Sequence, residues 1–178
     1  KNNLATEVIS SDSVVIGKFF IDNRTTAKNE DIPQSFINAL LATEDIRFRE
    51  HSGIDIRALF RAVFGVVSGK GQAGGASTIT QQLAKMLFTK TPASGVDRVK
   101  QKLKEWVIAA KLERRYTKDE IMLMYLNRYD WVNNAVGIES AARVYFNKEP
   151  KDLNIQESAT LVGMLKNSAL YNPNRRLE

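Results

Sequence analysis

The sequence contains no cysteine, a single histidine and no long apolar run. Without cysteine the chain can form neither a disulfide nor a thiolate metal site. No apolar stretch approaches the roughly 18 to 20 residues that a membrane-spanning helix needs, and no signal-peptide pattern is present. The missing cysteines leave the cellular compartment open, because many exported bacterial domains also lack them.

What the chain does contain fits one globular domain. Its 178 residues are 43% hydrophobic, which is enough for one well-buried core and too little for two independent ones. We expect a single domain over residues 1–178, with room for two lobes. The net charge of +6 favours an anionic partner, either nucleic acid, lipid headgroups or a phosphorylated substrate. Charge alone does not choose among these classes.

A carboxylate at the end of an apolar helix face is the first candidate for chemistry. In residues 33–53, Pro33 suits a first helical turn. The apolar positions that follow have the spacing of one helix face, namely Phe36, Ile37, Leu40 and Leu41. The same register reaches Glu44, where partial desolvation would raise the pKa of the carboxyl group and make it a proton acceptor near neutral pH. The alternative is a structural ion pair of Glu44 with Arg47 or Arg49.

The segment Ile56–Val67 has a strongly apolar helical face beside two arginines. Its apolar residues recur at helical spacing, and Arg57 and Arg61 lie one turn apart on another face. This pattern is typical of a helix at a membrane interface, but an ordinary core helix with two solvated arginines fits the periodicity equally well. Residues 68–75 are rich in glycine and should be mobile, so we interpret the helix as part of a loosely held flap.

The helix predicted to begin at Ser77 or Thr78 separates a polar stripe from an apolar one. Thr78 and Gln81 fit a capping box. The polar stripe has the spacing i, i+3, i+4, i+7 and consists of Thr78, Gln81, Gln82 and Lys85. Amides and an ammonium group suit sugar hydroxyls and phosphate oxygens, although a plain solvated face also explains the spacing. No G-x-x-x-x-G-K-[ST] sequence is present, so a nucleotide-binding P-loop is unsupported.

A second candidate carboxylate lies in a long helix predicted over residues 97–115. From Glu105 onward this helix is apolar on nearly every side, and we expect it to be central and buried. Glu105 follows Gln101 and Lys102 by one turn and Arg98 by two turns. A buried carboxylate among cations is either a structural salt bridge or part of a site that handles a charged leaving group.

The remaining segments predict structure rather than chemistry. Residues 1–29 mix β-branched and aromatic side chains around Gly17 and Lys18, which predicts a short hairpin or an extended lead-in. Helices are expected over residues 116–127 and 156–166. Small side chains over residues 137–146 would allow close helix packing, and no repeat is present.

Taken together, these segments resemble the peptidoglycan glycosyltransferases (family 51), the glycan-polymerising domains of class A penicillin-binding proteins and of monofunctional transglycosylases. The resemblance covers about residues 16–173 and rests on five motifs in the family's order. The motifs are Glu44 and Asp45 with Phe48, His51 and Gly53; residues 75–82 (GASTITQQ) with Lys85; residues 101–105 (QKLKE); Tyr116, Lys118, Glu120 and Ile121 with residues 125–127 (YLN) and 137–139 (GIE); and Glu157 and Gly163 with residues 171–173 (YNP).

The resemblance implies a mostly α fold, in which a lysozyme-like helical lobe carries a smaller membrane-associated jaw lobe at about residues 54–75. It implies polymerisation of lipid II into β-1,4-linked glycan with inversion and release of undecaprenyl pyrophosphate. The implied location is the outer, periplasmic face of the bacterial cytoplasmic membrane, with membrane contact through Ile56–Val67 and no nucleic-acid partner. A transmembrane helix upstream of Lys1 is also implied, and the family allows a transpeptidase domain in the parent chain.

The same resemblance implies a role for each candidate residue. Glu44 would be the general base, and Glu105 would assist at the donor side, with a divalent cation (Mg²⁺ or Mn²⁺) allowed and no organic cofactor. Charge on the departing pyrophosphate would be offset by Lys85, Arg98 and Lys102. Sugar and phosphate groups would be positioned by Asp45, Ser77, Thr78, Gln81 and Gln82. His51 is interpreted as a structural hydrogen-bonding residue rather than a catalytic one.

Two positions depart from the family pattern. The usual arginine four residues before the second glutamate is Gln101 here, which removes a cation near the phosphates, and we interpret Arg98 as its substitute. The usual F-G dipeptide after the YLN motif is replaced by Trp131 and Val132, which leaves the local loop shape open.

Two other classes of function stay open. A glycan-cleaving enzyme of the lysozyme or lytic transglycosylase kind would use a similar lobe and glutamate, but a neutral glycan offers Lys85, Arg98 and Lys102 no pyrophosphate to neutralise. A non-catalytic basic module that binds membrane or nucleic acid would explain the charge of +6, although the chain lacks the interleaved aromatic residues of a single-strand binder.

Overall fold

The chain is mostly helical, as the sequence predicted. The computed structural model describes residues 6–13, 15–19, 26–68, 75–88 and 94–175. In chain order, the elements are strands β1 (Thr6–Ile9) and β2 (Val15–Phe19), then helices α1 (Gln34–Glu44), α2 (Ile56–Val67), α3 (Ile79–Phe88), α4 (Gly95–Arg115), α5 (Lys118–Arg128), α6 (Ile138–Phe146) and α7 (Ile155–Tyr171). Short 3-10 turns cover Asn29–Asp31, Pro150–Asp152 and Pro173–Arg175.

The N-terminal lead-in is an antiparallel hairpin, which confirms the first of the two predicted alternatives. Thr6 pairs with Phe19, and Glu7 pairs with Lys18. The predicted centre at Gly17 and Lys18 therefore lies inside β2, and the described part of the turn is residues 10–13. Ser13 adopts the left-handed conformation there, with φ of 64°.

Local sequence signals account for the starts of α4 and α7. Ser94 caps α4, since its hydroxyl accepts from the backbone N–H of Asp97 at 3.2 Å, and Asn154 forms a capping box with Glu157 at the start of α7. Helix α7 is interrupted at Asn167, where φ is −157° and ψ is 93°. This break agrees with the predicted end of the helix at residue 166.

The chain divides into two compact units, one formed by residues 1–39 and 126–178 and the other by residues 40–125. In the first unit, Trp131 is fully buried, and its indole N–H donates to the carbonyl of Leu161 at 3.0 Å. The next three residues, 132–134, all have positive φ. The tryptophan therefore anchors a tight turn at the position where the family pattern is not followed.

The second unit carries the candidate residues on a core of α3, α4 and α5. Its fully buried side chains include Leu40, Phe48, Ile79, Leu83, Ala84, Ala109, Ile121, Met122 and Tyr125. Helices α3 and α4 pack directly against each other. None of the helices in the described ranges combines the length and the hydropathy that crossing a bilayer requires.

The expectation that α4 is buried on nearly every side is wrong. Glu105, Ala109 and Leu112 face inward, but Leu103 and Val107 are 54% and 56% exposed. Apolar periodicity shows which side chains avoid water and does not show how many neighbouring elements are available to cover them. Helix α4 therefore presents an apolar face that the described part of the chain leaves uncovered.

Candidate active site

Glu44 lies at the last position of α1, half-buried, and it accepts one hydrogen bond from an amide. The Nε2 of Gln82 donates to the Oε2 of Glu44 at 2.9 Å. The amide oxygen of Gln82 in turn accepts from the hydroxyl of Tyr125 at 3.1 Å, and Tyr125 is fully buried. Because an ionised carboxylate only accepts, the tyrosine hydroxyl and the carboxylate together fix which end of the amide faces Glu44.

The alternative that Glu44 forms a structural ion pair is wrong. Arg47 pairs with Asp55 at 2.6 Å, and Arg49 pairs with Asp119 at 2.8 Å. Both arginines are therefore engaged elsewhere, and the carboxylate of Glu44 has no cation beside it among the described residues.

Asp45 and His51 fix the loop that follows α1. The Nε2 of His51 donates to the buried carboxylate of Asp45 at 3.0 Å, and the backbone N–H of Ile79 donates to the same carboxylate at 3.0 Å. The N–H of Gly53 donates to the Nδ1 of His51 at 3.1 Å, so the ring proton belongs on Nε2. Asp45 thereby holds the first turn of α3, where a negative charge is favourable. Its predicted contact with substrate stays a prediction.

The predicted polar stripe of α3 points mainly into the protein, so a plain solvated face is excluded for most of it. Thr78 and Gln81 are buried, Gln82 is half-buried, and Lys85 is exposed. The hydroxyl of Thr78 donates to the carbonyl of Gly53 at 2.7 Å and accepts from the N–H of Gln81 at 3.1 Å. Only this half of the capping box forms, because the buried side-chain oxygen of Gln81 has no hydrogen-bond partner.

The negative charge of Glu105 is balanced by two donors, one of which is a cation, whereas the donor described at Glu44 is neutral. It is 4% exposed, and it accepts from Nε2 of Gln101 at 3.0 Å and from Nζ of Lys102 at 3.2 Å. Lys102 also donates to the hydroxyl of Ser77 at 2.8 Å. Gln101 thus supplies a neutral donor where the family pattern has a cation, and Lys102 connects Glu105 to the segment before α3.

Arg98 and Lys85 are both exposed. Arg98 lies one turn before Lys102 on the helix, and within the described ranges it forms no ion pair with Glu105. Its assignment as a substitute for the missing arginine therefore stays a prediction.

A buried hub beneath the site was not assigned by sequence reasoning. Glu113 accepts from the hydroxyl of Thr80 at 2.6 Å and from Nζ of Lys118 at 2.8 Å. Lys118 also donates to the carbonyl of His51 at 2.5 Å and lies 4.5 Å from the centre of the Phe48 ring. Three helices and the loop after α1 meet here. Lys118 and Thr80 were noted only as motif matches, and Glu113 gave no signal because its two partners, 5 and 33 residues away, do not lie at the spacing of one helix face.

Helix α2 begins at an anchored aspartate and exposes the large side chains of its apolar face. Burial alone would raise the pKa of the Asp55 carboxyl group, but the N–H of Ala58 and the guanidinium of Arg47 donate to it and hold the pKa below its ordinary value. The large side chains Ile56, Phe60 and Phe64 are 60% to 73% exposed, and Arg57 and Arg61 are exposed as well. An ordinary core helix is therefore excluded.

The described residues offer a divalent cation no cage made of protein side chains alone. In the described ranges, no three acidic or histidine side chains gather in a way that could hold a metal ion. Both oxygens of Glu105 already accept, from Gln101 and from Lys102, whereas Mg²⁺ requires about six oxygen ligands in near-octahedral geometry. We derive no step through a metal, and the divalent cation stays a prediction.

Comparison with known proteins identifies the family of the chain. A family model described as Transglycosylase matches residues 12–178. The chain belongs to the transglycosylase family. This membership confirms the predicted enzyme class, a glycosyltransferase.

Curated relatives of this transglycosylase are penicillin-binding proteins. Penicillin-binding protein 1A of Pseudomonas aeruginosa is 42% identical over 94% of the chain. Penicillin-binding protein 1F of Bacillus subtilis is 37% identical over 95%, and penicillin-binding protein 1A of Neisseria flavescens is 39% identical over 97%. The chain spans only 20%, 23% and 21% of the length of these three relatives.

Proposed function

We propose that this transglycosylase is a peptidoglycan glycosyltransferase that polymerises lipid II into β-1,4-linked glycan. The observation that carries the proposal is that two carboxylates in contrasting surroundings attach to one short segment, residues 77–82. Glu44 binds Gln82 at one end of this segment, and Glu105 reaches Ser77 at the other end through Lys102. A transfer between two sugars needs one group that gains a proton and another region that tolerates a charged leaving group.

In the proposed reaction, Glu44 is the general base. Its carboxylate takes the proton of the acceptor 4-hydroxyl while that oxygen bonds to the anomeric carbon of the donor. The bond from the anomeric carbon to the pyrophosphate breaks, and its electron pair leaves with undecaprenyl pyrophosphate, so the configuration inverts. Among the described residues no cation pairs with Glu44, and this supports the role, because a paired carboxylate is a weaker proton acceptor.

The departing pyrophosphate would be met by the cations of α3 and α4. Lys102 already lies beside Glu105, and the exposed side chains of Lys85 and Arg98 would turn toward an entering phosphate. A transition state that expels two phosphate groups gains from such preorganised charge. This need for cations favours polymerisation over cleavage of a neutral glycan.

Location and partners follow from α2 and from the relatives. We propose that the exposed side chains Ile56, Phe60 and Phe64 enter the outer face of the cytoplasmic membrane while Arg57 and Arg61 meet the headgroups. We also propose that the parent chain carries a transpeptidase domain, since the relatives are named for penicillin binding and are about five times as long as this chain.

The test compares wild type, Glu44→Gln and Glu50→Gln on labelled lipid II in detergent with Mg²⁺, with penicillin present to exclude transpeptidation. Glu50 is an exposed glutamate six residues further on, which makes it a matched control for the removed charge. We expect long strands from wild type and Glu50→Gln, and a loss of about 10²- to 10⁴-fold in Glu44→Gln. Wild-type polymerisation by Glu44→Gln, or sugar release from preformed peptidoglycan by the wild type, would overturn the proposal.

A further inference from the structure

We propose that the outward face of α4 is a second surface for anionic lipid, in addition to α2. The inference rests on the membrane location in the proposed function and on no step of the polymerisation reaction. It starts from the aliphatic stripe that the described part of the chain leaves exposed on α4.

The stripe has the dimensions of a lipid-contacting helix face. Its members are Val96, Val99, Leu103 and Val107, which are 54% to 66% exposed. The spacing of three and four residues places them on one side of the helix over about 17 Å. A patch of this kind on a domain surface marks an interaction site.

A row of lysines flanks the stripe. Lys100, Lys104 and Lys111 are exposed, and at 3.6 residues per turn they lie to one side of the stripe, within about 100° of its centre. None of the three forms an ion pair with another residue of the described ranges. Lysine stems can lie along an apolar surface while their ammonium groups reach outward, which is the arrangement at a bilayer interface.

The carboxylates of α4 are kept away from this face. Glu105 and Glu113 are engaged in the interior, and Asp97 accepts from the Ser94 cap beyond the lysine row. The outward face is therefore purely positive and complements anionic headgroups. The stripe itself is purely aliphatic, and an apolar face flanked by cations is the pattern of a helix at a bilayer interface, so we commit to lipid rather than to a protein partner.

The same organisation occurs on α2. There, exposed apolar side chains also stand beside exposed cations, Arg57 and Arg61. On α4 the stripe lies roughly opposite Glu105 around the helix, so contact with lipid would leave the carboxylate side of α4 facing the site. Two lipid-binding helices would hold the unit in one orientation at the membrane, which a single helix does not achieve.

The test measures co-sedimentation of the protein with vesicles of phosphatidylglycerol and phosphatidylcholine and with vesicles of phosphatidylcholine alone. The charge variant is Lys100→Gln with Lys104→Gln, and the matched control is Lys166→Gln with Arg175→Gln, two exposed cations of the other unit. We expect the charge variant to bind the anionic vesicles at least tenfold more weakly, at about fivefold per lysine near the surface. We expect the control to bind as the wild type does.

A second variant tests the apolar stripe. Leu103→Ser with Val107→Ser should also weaken binding to anionic vesicles, and the loss should persist in high salt, which screens the lysines but not apolar contact. The inference is overturned if both α4 variants bind like the wild type, or if the control loses as much as the charge variant. Polymerisation of lipid II in detergent should be unchanged in all of them, so a failure here and a failure of the proposed function are separate results.

Discussion

The surroundings of Glu44 and of Glu105 share one feature and differ in another. Each carboxylate accepts from a glutamine side chain, Gln82 in one case and Gln101 in the other. The glutamine beside Glu44 is held by the hydroxyl of Tyr125. Glu105, in contrast, also contacts the ammonium group of Lys102 directly. Glu44 therefore contacts a neutral donor backed by another neutral donor, whereas Glu105 is paired with a lysine in the interior. The two carboxylates thus differ mainly in the charge of their hydrogen-bond partners, and the proposed roles rest on that difference.

The largest test of this comparison is Glu105→Gln. The substitution preserves shape but leaves Lys102 beside a neutral amide, so we expect normal folding and a fall in polymerisation of about 10²- to 10³-fold. Polymerisation of lipid II and the thermal unfolding midpoint check the two parts. Wild-type turnover by a well-folded variant would remove Glu105 from the mechanism.

Tyr125→Phe should have a smaller effect. It removes the donor to the amide oxygen of Gln82 and frees that amide to turn away from Glu44, so we expect about a tenfold fall in kcat with KM nearly unchanged. Tyr129→Phe is the matched control, since its hydroxyl donates to Leu165 in the other unit. If both variants lose stability and activity equally, Tyr125 is a packing residue and not a positioning residue.

Gln101→Arg adds a second cation next to Glu105 and so increases the difference between its surroundings and those of Glu44. We expect inorganic pyrophosphate to inhibit this variant about two- to fivefold more strongly, the size of a partly exposed ion pair. If Arg98 substitutes for the missing arginine, Arg98→Gln will cost less in the Gln101→Arg background than in the wild type. Equal costs in the two backgrounds would refute the substitution.

The smallest expected effect is a change in the pH dependence of stability when Asp55, at the start of α2, is replaced. Because the pKa of Asp55 is lowered in the folded state, this group contributes stability above its unfolded pKa, and the contribution is lost as pH falls through the folded pKa. Asp55→Asn should therefore lower the unfolding midpoint by a few degrees at pH 7, and the difference should shrink as pH falls below the unfolded pKa of an aspartate, about 3.9. A difference that is constant with pH would contradict the assigned cause.

Local patterns predicted the helices and the motif residues, but not what those residues contact. The polar stripe of α3 was read correctly as a stripe, yet periodicity could not show that Thr78 and Gln81 face inward. Helix α4 was expected to be buried because nothing local shows that Leu103 and Val107 lack a neighbour. The hub at Glu113 was missed since its partners lie 5 to 33 residues away along the chain, and only tertiary packing brings them together.

Gly53 shows how narrow the tolerance of this arrangement is. Its φ is 92°, and a Cβ atom there would lie 3.0 Å from the backbone of Ala109 in α4. Its carbonyl accepts a hydrogen bond from the hydroxyl of Thr78, and its N–H donates to the ring of His51. A residue without a side chain therefore sets the distance between the loop after Glu44 and the helix that carries Glu105. Variation at position 53 is consequently limited by backbone geometry, and a larger residue there would displace both carboxylates in a single step.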